Sequence, residues 1–146
     1  MDSRTQKQAA AITKTRNSAL ATVLSQNPGF SCQGKVGAFV GLYIQAEVFA
    51  CKLQSYYCKD KKKKSSAQLN IATLTSALSH FSIDIKDDEI RFLFLGGTGE
   101  KGKKSARQLR NGYFHSLSQE DKSEIVSKFD LLERALKMFL SIKLCA

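Results

Sequence analysis

Residues 89–95 read EIRFLFL, and the fold turns on them. Seven residues of this composition fit a short buried strand, and they fit a turn and a half of buried helix equally. The flanks and the rest of the chain narrow the choice. Asp84, Asp87, Asp88 and Glu89 supply the acidic start that the positive end of a helix favours. Elsewhere the apolar residues recur at helical spacing, so a strand here would find no partner for its backbone groups. The expectation is an all-α protein: a compact bundle of about five helices, folded as a single domain over residues 1–146.

Outward from this stretch, helices are expected over residues 3–26, 34–58, 66–80, about 105–117 and from 118 to about 142. The first turns Ile12, Thr15, Ala19 and Val23 inward and stops at Asn27-Pro28-Gly29, because proline disfavours the helical conformation in the residue before it. The second is apolar on nearly all sides and so reads as central. Lys59 to Lys64 form a solvated, mobile connection. Ser118-Gln119-Glu120-Asp121 reads as a cap and acidic first turn. In the last helix Ile125, Phe129, Leu132, Leu136 and Phe139 step by three and four residues.

The charge points to a class of partner. A net charge of +10 on 146 residues serves a polyanion such as nucleic acid, a phosphorylated ligand or an anionic surface, with solubility alone as the alternative. Four cysteines without a CxxC pair, and only two histidines, argue against a zinc site. Cys51 and Cys58, seven apart, read as small core residues. No apolar run is expected to reach membrane-spanning length, and the polar residues 1–16 do not read as a secretory signal. A cytoplasmic, membrane-free protein is expected.

Two candidate sites follow EIRFLFL directly. Gly97 to Lys103 satisfies GxxxxGK, the spacing of a phosphate-cradling loop, but Lys104 stands where the magnesium-holding hydroxyl belongs and no parallel sheet supports it. The loop reads instead as a flexible carrier of Lys101, Lys103 and Lys104 toward an anion. Beyond it, Arg110-Asn111-Gly112-Tyr113-Phe114-His115 lies within a helix. Asn111 and His115 share a face at i and i+4, and the long side chain of Arg110 can reach round to it. Gly112 costs about 1 kcal/mol against alanine in a helix interior, which suggests close approach by a phosphate or a partner helix.

RNGYFH resembles the Arg-(Asn/Asp/His)-x-x-x-His motif of HEPN domains, small all-α ribonucleases common in toxin–antitoxin and anti-phage systems. The resemblance extends to the long final helix after the motif and to an acidic residue, Glu47, in the apolar second helix. It implies a cytoplasmic, metal-independent endoribonuclease without cofactor. Arg110 and His115 would be the catalytic pair, Asn111 would assist them, and Glu47 would lie near the active site. Lys101, Lys103, Lys104, Arg107 and Tyr113 are the expected RNA contacts. The family implies a homodimer with its two motifs facing across a cleft, and an antitoxin or regulatory protein as a possible further partner. A subgroup carries a nucleotide-accepting tyrosine two residues after the motif histidine. Here Leu117 stands there, so control by nucleotide addition is not expected. The other readings are an RNA- or nucleotide-binding domain without catalysis, and a dimerising interaction module.

Overall fold

The computed structural model describes residues 3–26, 33–64, 68–115 and 118–144. Among them the chain is entirely helical, with α1 (Ser3–Gln26), α2 (Gly34–Asp60), α3 (Ile71–His80), α4 (Asp87–Phe94), α5 (Ala106–His115), α6 (Gln119–Ser127) and α7 (Phe129–Leu140). The Asn27-Pro28-Gly29 stop, Cys32, Leu117 and Cys145 lie outside the described residues. So do the side chains of Val23, Tyr113 and His115, whose backbone is helical.

The all-α class holds, with seven described helices rather than about five. EIRFLFL is the end of α4. Ile90, Leu93 and Phe94 are buried while Arg91 and Leu95 are exposed, which is helical periodicity and not the alternation of a strand. Asp87, Asp88 and Glu89 occupy its first turn, and Arg91 Nε donates to Asp87 Oδ2 at 2.7 Å across one helical turn. The helix ends at Leu95, whose extended backbone (ψ 126°) leads into Gly96 and Gly97. The single last helix expected over 118–142 is two helices, broken at Lys128 (φ −100°, ψ 6°). The break lets Ile125 from α6 and the Leu132, Leu136, Phe139 row from α7 enter one core from different directions.

That core is built on α2, against which α1, α3, α5, α6 and α7 all pack. Phe39, Tyr43, Ala46, Phe49, Ala50 and Leu53 are completely buried along it. Phe139 meets Phe49 at a centroid distance of 5.1 Å and Phe94 at 5.0 Å, so aromatic contacts tie α2, α4 and α7 together. One expectation needs correction here: α2 is long and apolar enough, by length and composition, to cross a membrane, with a mean hydropathy of 1.4 over its most apolar stretch. Its length as a single helix comes from serving five neighbours, which demands apolar residues on several faces at once.

The third helix begins later than expected, at Ile71, because Asn70 Oδ1 accepts from Thr73 N at 3.1 Å and caps it there. Buried Gln54 fixes the lead-in, donating to Gln68 O and accepting from Asn70 N, each at 3.0 Å. At the C-terminal end of α2, His80 Nε2 lies 2.9 Å from Asp60 Oδ2 and Gln8 Nε2 donates to Asp60 Oδ1 at 2.8 Å. One carboxylate thus joins α1, α2 and α3.

Candidate functional site

An open polar cavity of about 620 Å³ lies where α2, α5 and α6 converge, walled on one side by the loop after α4. Glu47, Lys104, Arg107, Arg110, Asn111 and Asp121 line it. On α5, positions 107, 110 and 111 are at i, i+3 and i+4, so one helical face presents two guanidinium groups and an amide. Arg110 Nη1 donates to Asn111 Oδ1 at 3.4 Å.

The start of α5 sets the phase of that face. Ser105 and Gln108 cap each other: Gln108 N donates to Ser105 Oγ at 3.1 Å, and Ser105 N donates to Gln108 Oε1 at 2.8 Å. This is the reciprocal capping box, Ser-x-x-Gln, and both residues are buried. Ser105 Oγ and Gln108 Nε2 then donate to Leu95 O at 2.6 Å and Gly96 O at 2.7 Å, fastening the helix start to the end of α4. Gly99 must be glycine, because its φ is +74° and an added Cβ would lie 2.5 Å from Gln108 Oε1.

Glu47 is held from its own helix. Tyr43 donates its hydroxyl to Glu47 Oε2 at 2.8 Å, one turn earlier. Burial, then the Glu47 charge, pushes the Tyr43 phenol far above its ordinary range, with Arg107 and Arg110 pulling weakly the other way. Tyr43 therefore remains a hydrogen-bond donor, and it feels both arginines that line the cavity. Cys51, one turn beyond Glu47, is pushed up to about 11 by burial and then by the Glu47 charge. It is a neutral thiol at physiological pH and not a nucleophile.

The expected RNA contacts divide into different kinds. Lys101 pairs with Glu120 at 3.0 Å and Lys103 approaches Glu100 at 3.9 Å, all four side chains largely exposed. Such pairs contribute about 0–1 kcal/mol and leave both lysines open to an anion. Lys104 is mostly covered and donates to Asp121 Oδ1 at 2.7 Å. Arg107 Nη1 donates to Leu69 O at 3.0 Å and Phe94 O at 3.3 Å, so it ties α5 to the preceding elements as well as lining the cavity. His115 and Tyr113 continue α5, but their side chains lie outside the described part of the structure.

The GxxxxGK loop does hold an anion, and that anion belongs to the chain itself. Gly102 N and Lys104 N donate to Glu124 Oε1 and Oε2 at 2.9 and 3.0 Å, and Lys128 Nζ donates to Glu124 Oε2 at 3.0 Å. With Glu124 in place, two loop amides are already committed. The flexible carrier expected from the sequence is thus a tethered loop.

Gly112 is explained in the same way. An added Cβ would lie 2.5 Å from Asp121 Oδ2, so within the chain a carboxylate of α6 already approaches its backbone closely. Gly112→Ala gains about 1 kcal/mol of helix propensity but must displace a buried carboxylate from Lys104. The net expected effect is a loss of about 1–2 kcal/mol in urea unfolding. In an Asp121→Ala background the same change should be neutral or stabilising. An equal loss in both backgrounds would show that Asp121 is not what demands the glycine.

Asp121, Gln108 and Glu124 are the residues that sequence reasoning did not assign to the site. The Ser-x-x-Gln spacing before α5 was a usable signal for Gln108. Asp121 and Glu124 had none beyond their places on α6. The chain matches no protein-family model, no curated protein and no solved structure.

Proposed function

We propose that the chain is a HEPN-type endoribonuclease that cleaves RNA by attack of the substrate's own 2′-hydroxyl. The observation that carries this reading is the convergence of Glu47 with Arg110 and Asn111, distant in sequence, on one open cavity with Arg107 and Lys104 beside them. Three cations and two carboxylates line the cavity, a net positive wall that suits a phosphodiester, and a guanidinium offers a fixed fork of donors to the charge that develops on phosphate oxygens.

In this reading His115, at the last position of α5, removes the 2′-hydroxyl proton. The oxygen forms a bond to the adjacent phosphorus, and the bond to the 5′-oxygen breaks with a proton returned to that oxygen. Arg110 steadies the phosphate, and Asn111, already bonded to Arg110, fixes the orientation of its guanidinium. The carboxylate of Glu47, held by the Tyr43 hydroxyl, lines the same cavity from α2. Two copies sharing one cleft would supply a base from one motif and an acid from the other.

Purified protein incubated with total RNA in EDTA is the direct test. Fragments ending in 2′,3′-cyclic phosphate and 5′-hydroxyl groups are expected, with DNA left intact for want of the nucleophile. Intact RNA that nevertheless co-elutes with the protein would overturn catalysis in favour of binding alone.

A further inference from the structure

Helix α7 carries two apolar rows. Leu132, Leu136 and Phe139 are buried in the core. Leu131, Ala135, Met138 and, just beyond the helix end, Ile142 step by four, three and four residues along an adjacent face. That is the spacing with which one helix meets another. Ala135 and Ile142 are partly buried against the core, but among the described residues Leu131 and Met138 stay 57% and 60% exposed. Together with Ile85 and Phe92 this second row lines a groove of about 430 Å³ between α4 and α7. Exposed apolar residues along such a groove mark an interaction surface.

The charges around the groove select the occupant. Asp84, Asp88 and Glu89 line its α4 side, and Arg134 its α7 side. Three carboxylates and one guanidinium thus line the groove, a net charge of −2 on a chain of +10. The face therefore reverses the sign of the whole molecule. A second copy would present the same concave groove, and two concave faces related by a two-fold axis leave each other unfilled. A convex helical ridge fills it, in the helix-in-groove mode.

We infer that the α4–α7 groove docks an amphipathic helix of a partner protein, its apolar row seated on Leu131, Ala135 and Met138 and its flanking lysines or arginines against the α4 carboxylates. This docking is independent of the RNA reading and uses none of its residues.

The test uses two labelled synthetic helical peptides with identical leucine rows, one flanked by lysines and the other by glutamates. A chain of +10 should prefer the acidic peptide on net charge alone. Docking in the groove reverses that order: the basic peptide binds at micromolar concentration and at least about tenfold more tightly than the acidic one. Met138→Ser and the pair Asp88→Lys, Glu89→Lys, all at exposed positions, should each weaken the basic peptide by about tenfold or more. Equal or inverted preference, or binding unchanged by these variants, overturns the proposal. Self-association in sedimentation that Met138→Ser abolishes overturns it in favour of a second copy.

Discussion

Alanine at Arg110 or at His115 should reduce RNA cleavage by about a hundredfold to ten-thousandfold, the range associated with losing a proton-transfer group or a preorganised charge partner. The two losses should differ in kind. Without His115 the 2′-hydroxyl keeps its proton while the phosphate is still held, so RNA affinity is expected to change little. Without Arg110 both turnover and affinity should fall, because a guanidinium lining the cavity is removed. The helical spectrum of both variants should match that of the parent protein. Mixing the two inactive variants asks whether the sites are composite. Partial recovery supports shared catalysis, and full activity of a sedimentation-verified monomer excludes it. Undiminished cleavage by His115→Ala would end the HEPN reading.

Residue types and spacing carried the fold class but not the whole route. EIRFLFL could not be settled from its own seven residues. It was settled by the missing partner strand, and the structure adds the reason in the buried phase at Ile90, Leu93 and Phe94. The break at Lys128 had no such signal, since neither glycine nor proline marks it and the apolar steps run on across it. It arises from packing, as α6 and α7 both have to meet α2. The second row on α7 was hidden for a related reason: a row reading Phe129, Leu132, Leu136, Phe139 accounts for a core helix and leaves Leu131 and Met138 as scattered residues.

The candidate site was legible where it is local and illegible where it is long-range. Arg110 and Asn111 are neighbours on one helix, so their shared placement follows from position alone. Glu47 was placed by family resemblance, since no spacing rule brings the middle of α2 to the middle of α5. Gly112 announced a close approach but not by what. Its partner Asp121 looked like an ordinary first-turn acid of α6, and only the packing of α6 on α5 reveals the carboxylate filling the notch. The lysine-bearing loop reads in sequence as a flexible carrier, open to many conformations. The carboxylate that selects one of them lies on α6, after the motif helix.

That carboxylate is where the largest stability effect at the site is expected. Glu124 accepts from Gly102 N, Lys104 N and Lys128 Nζ, and its side chain is only 9% exposed. Hydrogen bonds to a charged acceptor contribute about 1.5–3 kcal/mol each, but water can replace the exposed Gly102 contact, so Glu124→Ala should cost about 2–4 kcal/mol in urea unfolding at neutral pH. Glu124→Gln keeps the shape and removes the charge, and should cost less. Burial alone would raise the Glu124 carboxyl, but Lys128 and the two loop amides outweigh it and hold the group below its ordinary value near 4.5. A depressed native value means the contribution is fully present above the ordinary glutamate range and is lost as pH falls through the depressed value. The stability gap between the parent protein and Glu124→Gln should therefore be widest near pH 7 and shrink progressively below about pH 4. Trypsin provides the local readout: cleavage after Lys101 and Lys103 should accelerate in Glu124→Ala well below its unfolding midpoint, because the loop opens before the bundle does. If Glu124→Ala unfolds with the parent protein at neutral pH and is cut no faster, the loop is held by something other than this carboxylate.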